Sequence, residues 1–357
     1  MKRVLVAPLD WGFGHATRCI PVIRSLQKHA CIVLIAGSGD SLLLLQKEFP
    51  GLKRYTLPGY SPRYPTTGSM VWTMAAQVPR FARVIGEEHR VLEEIVRCEG
   101  IDLVISDNRY GCWSSVVKSI FITHQSNILM PQRFGWLASW VRRMNHKMIK
   151  RFTQCWIPDR GGDESIAGDL ILFGAVDHDI NYRYIGPLSR FESSGRREKK
   201  YDLICIFSGP EPQRTLLETI VTEQVNRWQG KACMVRGLPD DARAIPLNTK
   251  ADVFPFLNSE ALQVAIESSA IVLARSGFST VMDMARLGGR AIFIPTPGQT
   301  EQVYLAERLL QKGIAYSMQQ RNFDLIRALK ESERFTGFIP AASSGDLLED
   351  AVSEILR

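Results

Sequence analysis

His15 is the residue of the first half best suited to proton transfer. It follows the turn Asp10-Trp11-Gly12-Phe13-Gly14, between a strand-like apolar run and a helical pattern. An imidazole titrates near neutral pH and can take a proton from a hydroxyl nucleophile. Asp107 follows Leu103-Val104-Ile105 and should end a parallel strand at the same sheet edge as His15. We predict a catalytic pair in which Asp107 orients His15; the alternative is a helix-capping aspartate and a surface histidine.

Three turns between strand-like and helix-like segments are suited to anion binding. Glycines allow a ligand to approach the backbone closely, and the first N–H groups of a helix favour negative charge. The turns contain Gly12 and Gly14, Ser208 and Gly209, and residues 275–280. Each is equally explained as a plain strand-to-helix turn. The first lacks the third glycine of the dinucleotide fingerprint, because Thr17 stands there, which argues against a nicotinamide or flavin cofactor.

The pattern along the chain predicts an α/β protein with two domains. A length of 357 residues corresponds to roughly two domains. Strands are predicted at 3–8, 31–36, 102–106, 119–123, 155–158, 203–207, 232–235, 271–274 and 291–295, and helices at 16–29, 81–97, 134–151, 214–228, 260–267, 280–286 and 345–356. We expect an N-terminal Rossmann-like domain at 1–180, a linker at 181–200, a C-terminal Rossmann-like domain at 201–343 and a C-terminal helix at 344–357.

Composition and charge narrow the class of protein. With 45% hydrophobic and 23% charged residues, the chain is neither disordered nor collagen-like. No apolar stretch reaches the roughly 18 residues of a spanning helix. The seven cysteines are scattered, which is typical of reduced thiols in a cytoplasmic protein. Residues 1–150 contain 20 Lys and Arg against 10 Asp and Glu, so that half favours an anionic partner.

The segment 131–151 concentrates this positive charge. It contains six basic residues and no acidic one, interleaved with apolar side chains. One interpretation is a basic amphipathic helix that lies on an anionic membrane near a lipid-linked acceptor. The other is a helix that packs its apolar side on the sheet and leaves the basic side in solvent.

The second half resembles a known family. The resemblance is carried by Ala274-Arg275-Ser276-Gly277-Phe278-Ser279-Thr280-Val281-Met282-Asp283, Gly288-Gly289-Arg290-Ala291-Ile292-Phe293-Ile294-Pro295 and Gln299-Thr300-Glu301-Gln302. These blocks are similar to the donor-binding region of glycosyltransferase family 28, which includes MurG-like UDP-N-acetylglucosamine transferases. The resemblance is strongest over 251–317. It implies the GT-B fold, in which two Rossmann-like domains face a central cleft and the C-terminal one holds the nucleotide sugar.

The resemblance also implies roles for individual residues. Asp283 stands where the family places a glutamate on the nucleotide ribose, and Phe256 lies in the segment that holds the base. Ser276, Gly277 and Thr280 match the phosphate-facing turn of the family. Ser208 and Gly209 match a second glycine-serine loop, which is shortened in this sequence. The full set of implied donor contacts is Gly12, Gly14, Ser208, Gly209, Phe256, Arg275, Ser276, Gly277, Thr280, Asp283, Gln299, Glu301 and Gln302, with Glu301 and Gln302 on the sugar. His15 matches the family's N-terminal loop histidine.

The expected function is an inverting, metal-independent transfer of a sugar, by resemblance N-acetylglucosamine, from a UDP-sugar to a hydroxyl acceptor. The acceptor is unidentified, with lipid-linked and cell-envelope glycans as candidates, and the expected location is the cytoplasm or the inner face of the membrane. No cofactor is expected beyond the UDP-sugar co-substrate. No metal is expected either, although Asp177-His178-Asp179 spells the Asp-x-Asp of metal-dependent transferases.

Two alternatives stay open at this point. A UDP-sugar 2-epimerase would bind the same donor on the same architecture without an acceptor. A non-catalytic protein would bind a nucleotide sugar or a polyanion through the basic half. No nucleic-acid partner is expected, because the sequence contains no recognised nucleic-acid-binding motif.

Overall fold

The computed structural model describes residues 1–62, 70–129, 132–171, 179–192, 195, 197–238, 248–340 and 345–357. Its contacts divide the chain into two compact units. The N-terminal unit contains Met1–Arg63, Val71–Leu188 and Ser343–Arg357, and the C-terminal unit contains Ser189–Ala342.

The N-terminal unit is built on a parallel sheet. Its described strands are β1 (Arg3–Pro8), β2 (Ile32–Gly37), β3 (Lys53–Thr56), β4 (Leu103–Asp107), β5 (Lys118–Ile122), β6 (Gln154–Ile157) and β7 (Tyr182–Tyr184), in the order β3-β2-β1-β4-β5-β6-β7. The helices are α1 (Phe13–Lys28), α2 (Gly39–Glu48), α3 (Met70–Ala75), α4 (Val78–Glu99) and α5 (Ala138–Ile149). The central strands are almost wholly apolar and buried, as expected for a sheet covered on both faces.

The C-terminal unit repeats this architecture. Its described strands are β8 (Tyr201–Ile206), β9 (Ala232–Val235), β10 (Asp252–Phe254), β11 (Ser269–Ala274), β12 (Arg290–Phe293) and β13 (Tyr316–Ser317), in the parallel order β10-β9-β8-β11-β12-β13. The helices are α6 (Gln213–Arg227), α7 (Ser259–Glu267), α8 (Phe278–Leu287), α9 (Thr300–Gln311) and α10 (Leu325–Ser332). A buried cluster around Leu203, Leu273 and Ile292 forms the core on one side of this sheet.

A final helix, α11 (Gly345–Ile355), belongs to the N-terminal unit. It packs on α1 and buries Ala351 and Val352 completely. The Ser25 hydroxyl donates a hydrogen bond to Glu349 at 2.9 Å. The chain therefore returns to its first unit after the second one is complete.

The α/β class and the predicted strands are confirmed, with local corrections. The helix predicted from residue 16 begins at Phe13, because Gly12, at φ +85°, ends the turn and caps the helix. His15 thus lies in the first helical turn. The predicted helix 134–151 is in fact a 3₁₀ segment, Gln132–Leu137, followed by α5, and β7 lies within the segment predicted as a linker.

A buried ion pair in the N-terminal unit ties several loops together. Arg109 and Glu88 are fully buried and form a salt bridge. Arg109 also donates hydrogen bonds to the Pro8 carbonyl at 2.7 Å, the Ser38 hydroxyl at 2.7 Å and the Pro58 carbonyl at 3.1 Å. These residues end or follow β1, β2 and β3, while Arg109 itself follows β4. One guanidinium therefore fixes the carboxyl ends of four adjacent strands.

We expect Glu88→Ala to lower the free energy of unfolding by roughly 3–5 kcal/mol, because it removes the carboxylate that Arg109 contacts directly and leaves, among the described residues, only that of Asp10, 4.0 Å away, beside the buried charge. Urea unfolding measures this change. Glu87→Ala, at the exposed neighbouring position of the same helix, is the matched control and should change stability by less than about 0.5 kcal/mol. Equal effects of the two substitutions would show that the buried pair does not hold the loops.

Candidate functional site

The first candidate site lies where the strand order of the N-terminal sheet reverses direction. β1 lies between β2 and β4, so the loops that follow β1 and β4 leave the sheet on opposite faces of a common crevice. Pro8 at the end of β1 is in register with Asp107 at the end of β4. The Leu9 amide donates to the Asp107 carbonyl at 2.9 Å. This pairing fixes the start of the His15 turn against the end of β4.

The structure brings His15 and Asp107 into contact. The His15 Nδ1 lies 2.8 Å from Asp107 Oδ1. Asp107 is fully buried, and His15 is only 9% exposed. The two residues occupy the geometry predicted for an orienting carboxylate and its histidine, and their catalytic roles stay predictions.

Arg18 and His124 join this pair, and neither was predicted. The Arg18 Nε and Nη2 atoms donate to the two Asp107 oxygens at 3.0 and 2.7 Å. The Arg18 Nη1 lies 3.0 Å from His124 Nδ1. The sequence did hold a signal for Arg18: it is three residues after His15, on one helical face, and directly precedes the apolar stretch 19–23.

The surroundings of Asp107 keep its carboxylate ionised. Burial raises the pKa of Asp107, but the opposing charges of Arg18 and His15 and their hydrogen bonds lower it to about 2. An ionised carboxylate accepts a hydrogen bond from the imidazole Nδ1–H, which leaves Nε2 as the nitrogen that can accept a proton from a hydroxyl. The cluster is therefore suited to general base catalysis.

An aromatic cluster adjoins the His15 turn. The ring of Trp11 lies 6.4 Å from that of Tyr60 and 5.6 Å from that of Phe81, measured between centroids. Trp11 is 37% exposed, whereas Tyr60 is buried. The Tyr60 amide donates to the Asp10 carboxylate at 3.0 Å. The start of the turn is therefore held both by this contact and by the hydrogen bond from Leu9 to Asp107.

The second candidate site lies at the corresponding point of the C-terminal sheet. β8 and β11 are neighbours there, and the turns that follow them carry Ser208, Gly209 and residues 275–277. Gly209 has φ +105°, which favours glycine. Gly277 caps the amino end of α8, and a Cβ atom built on it would meet no heavy atom within 4 Å. Open space therefore lies beside the first turn of this helix, which includes the half-buried Thr280.

Arg275 lies beneath that turn rather than on its surface. Its guanidinium donates to the Gln213 carbonyl and to the Gln320 side chain, both at 2.7 Å, and to the Ile294 carbonyl at 3.1 Å. Burial lowers its pKa to about 10. These contacts join the ends of β11 and β12 to the start of α6, so Arg275 supports the turn, and its contact with a donor stays a prediction.

Four predicted polar residues connect the turn before α8 to the start of α9. The Ser276 hydroxyl donates to the Gln302 carbonyl at 2.7 Å, and the Phe278 amide donates to the Glu301 carboxylate at 3.3 Å. Gln302 accepts from the Thr296 amide at 2.8 Å and donates to the Gln299 side chain at 2.5 Å. The sugar contacts predicted for Glu301 and Gln302 stay predictions. Phe256 is half-buried just after β10.

Asp283 is engaged by the segment that enters the C-terminal unit. The Ser189 hydroxyl donates to Asp283 Oδ1 at 2.7 Å, and Arg190 Nε lies 3.5 Å from Oδ2. Burial raises the pKa of Asp283, against the effect of Arg190 and Ser189. A ribose contact from Asp283, which stays a prediction, would have to compete with these two partners.

The structure describes little of the Asp177-His178-Asp179 triplet. Asp177 and His178 lie outside the described residues, and the Asp179 carboxylate accepts a hydrogen bond from Lys150 at 2.9 Å. Within the described ranges, no three His, Cys, Asp or Glu side chains converge as metal ligands would. Among the helices in those same ranges, none has the length and apolar character needed to cross a bilayer.

Comparison with known proteins identifies the second unit. The family model of the glycosyltransferase family 28 C-terminal domain matches residues 204–344. The C-terminal unit is therefore similar to the C-terminal domain of glycosyltransferase family 28. This match spans β8 to α10 and includes both turns of the second candidate site, and it confirms the resemblance to family 28.

Two relatives have the same curated name, UDP-N-acetylglucosamine–N-acetylmuramyl-(pentapeptide) pyrophosphoryl-undecaprenol N-acetylglucosamine transferase. The protein from Rickettsia rickettsii (strain Sheila Smith) is 31% identical over 113 residues, which are 31% of this chain and 28% of the relative. The match thus spans little more than a quarter of that relative. The protein from Rickettsia canadensis (strain McKiel) is 23% identical over 274 residues, 71% of each chain.

Solved structures show that the fold extends over both units. The glycosyltransferase SnogD from Streptomyces nogalater matches with a TM-score of 0.60 at 15% identity, over 99% of this chain and 96% of its own. MurG from Acinetobacter baumannii matches with a TM-score of 0.53 at 13% identity, over 99% and 94%. The chain has the GT-B type of fold, with two Rossmann-like units.

Proposed function

We propose that this protein is an inverting, metal-independent glycosyltransferase that moves a sugar, N-acetylglucosamine, from a UDP-sugar to a hydroxyl acceptor. The observation that carries the proposal is the buried His15–Asp107 contact at 2.8 Å, in a chain whose C-terminal unit matches family 28. The N-terminal unit supplies the base, and the C-terminal unit supplies the donor contacts.

The proton transfer follows from the geometry of His15. The Nε2 atom takes the proton of the acceptor hydroxyl while the hydroxyl oxygen attacks the anomeric carbon, and the bond from that carbon to the diphosphate oxygen breaks. One displacement inverts the anomeric configuration. Asp107 holds the ring through Nδ1 and stabilises the imidazolium that forms.

The departing diphosphate is stabilised by the amino end of α8. The first amides and the dipole of this helix favour negative charge, and Gly277 leaves the backbone accessible there. Ser208 and Gly209 offer a second turn of the same kind at the neighbouring strand. Fixed donors of this type stabilise the leaving group without a metal ion.

We expect Gly277→Val to weaken UDP binding at least about tenfold, because the new side chain occupies the space beside the α8 amides that the diphosphate needs. Isothermal titration with UDP and UDP-N-acetylglucosamine measures the affinity. The φ of −68° at Gly277 is accessible to valine, so the variant should fold.

Gly86→Val is the matched control, since Gly86 also has nothing within 4 Å of a built Cβ but lies on α4 of the other unit. It should bind UDP as the wild type does. Unchanged UDP affinity in Gly277→Val would remove the α8 turn from the donor site.

The acceptor is proposed to be lipid-linked, in keeping with the names of the Rickettsia relatives. We expect His15→Gln to lower the rate of transfer from radiolabelled UDP-N-acetylglucosamine to undecaprenyl-pyrophosphoryl-N-acetylmuramyl pentapeptide by about 10²- to 10⁴-fold, with UDP affinity unchanged. His29→Gln, at the C-cap of the same helix, is the control and should keep activity. Full activity of His15→Gln would exclude His15 as the base.

A surface on the N-terminal unit suits an anionic membrane. Trp136, Trp140 and Met144 recur at a spacing of four residues and are 78%, 58% and 42% exposed. Trp136 lies in the 3₁₀ segment and Trp140 and Met144 lie on α5, where Arg143 and Lys147 are also exposed, and α5 buries Asn145, His146 and Ile149 instead. Exposed tryptophans beside basic residues are typical of interfacial helices. We propose that this surface holds the protein near its acceptor, at the inner face of the membrane.

We expect the double variant Trp136→Ser/Trp140→Ser to bind phosphatidylglycerol vesicles about tenfold more weakly, because it removes the apolar area that enters the interface. Vesicle sedimentation measures the binding. Val116→Ser, at another exposed apolar position (68%) of the same unit, should have no effect. Equal binding by the double variant would place the membrane contact elsewhere.

A further inference from the structure

The carboxylate of Asp107 has two partners, of which one has a permanent charge and the other can be protonated or neutral. Arg18 contacts both of its oxygens, at 3.0 and 2.7 Å, in the two-pronged arrangement typical of arginine. His15 contacts only Oδ1, at 2.8 Å. Arg18 is always charged, whereas His15 gains and loses a proton. The Asp107 charge is thus already paired before His15 is protonated.

Arg18 also lies directly against the two histidines. Its Nη2 is 2.7 Å from His15 Nδ1, and its Nη1 is 3.0 Å from His124 Nδ1. A guanidinium has only donors, so His124 Nδ1 accepts, and His124 is neutral. At His15, the Nδ1–H and Arg18 Nη2 both donate to Asp107 Oδ1, and the 2.7 Å between the two nitrogens is a contact between donors that share this acceptor. All three residues are buried, where charges interact more strongly than in water.

The charges of Asp107 and Arg18 have opposite effects on the protonation of His15. A lone buried carboxylate favours a proton on an adjacent imidazole, whereas a guanidinium disfavours it. The groups that face His15 from the described elements are Asp107, Arg18 and the neutral His124, and the thiol of Cys19 lies near Asp107 and Arg18. Burial raises the pKa of that thiol well above its ordinary value, so it stays uncharged. The balance at His15 is therefore between one anion and one cation.

We propose that Arg18 is a positioning residue that offsets the Asp107 charge and so keeps His15 in its neutral, proton-accepting form. This inference rests on the proposed function, in which His15 is the base. Without Arg18, Asp107 would hold His15 as an imidazolium that cannot accept the acceptor's proton at neutral pH. With it, Asp107 orients the ring while adding little net negative charge.

The test is a histidine titration by NMR, on protein labelled with ¹³C and ¹⁵N in its six histidines. His15 is assigned by the loss of its signal in His15→Gln. We expect the midpoint of the His15 titration to move up by about one pH unit or more in Arg18→Met, because only the anion is left beside the ring. Arg18→Lys keeps the positive charge and should stay close to the wild type. The acidic limb of the transfer rate should move with the midpoint.

A purely structural role for Arg18 gives a different result. In that case, folded Arg18→Met would be less stable but would titrate at the wild-type midpoint, and the proposal would be overturned. Asp107→Asn decides the question if Arg18→Met does not fold. There the Arg18 charge is no longer offset, and the His15 midpoint should fall below the ordinary value of about 6.5; a midpoint at or above it would also overturn the proposal.

The readout separates this proposal from the function on which it rests. The titration needs neither donor nor acceptor, so it reports on Arg18 even if the wild type transfers no sugar. Conversely, UDP binding and sugar transfer by the wild type would support the proposed function even if the Arg18→Met midpoint did not move.

Discussion

The placement of β4 beside β1 is the constraint on which the N-terminal site depends. It sets Asp107 opposite Pro8 and thereby places a buried carboxylate against the first turn of α1. A carboxylate at that depth is tolerated only with charged or hydrogen-bonding partners, and α1 supplies two of them, His15 and Arg18. Topology, burial and charge pairing therefore lead to the same cluster of side chains.

The two units use different contacts of buried arginines to hold the loops at the edges of their sheets. Both are parallel sheets whose strand order reverses near the middle, so both gather their loops at one edge. In the N-terminal unit, the loops are held by ion pairs, Arg109 with Glu88 and Arg18 with Asp107. In the C-terminal unit, Arg275 is held by carbonyl groups and an amide. The C-terminal unit also contains a buried pair, Arg236 with Glu218 at 2.6 Å, so the contrast applies to Arg275 alone.

The sequence allowed much of the fold and part of the site to be predicted. Apolar runs located the central strands. The position of Asp107, two residues after Leu103-Val104-Ile105, placed it at the end of such a strand. Short edge strands such as β3, which is largely exposed, carry no such pattern and were missed. The pairing of Arg109 with Glu88 was also missed, because no local periodicity reveals a contact between residues 21 positions apart. In the basic segment, composition could not decide which face is buried, and the structure exposes the tryptophans.

The return of α11 to the N-terminal unit has a consequence for biosynthesis. The ribosome makes the whole of Ser189–Ala342 before α11 follows, an interval on the order of ten seconds. Throughout that interval, the apolar surface of α1 that α11 covers, and the Ser25 hydroxyl that meets Glu349, are open to solvent. The first unit to be translated is therefore the last to be completed, and part of its apolar surface on α1 is covered only when α11 has been made.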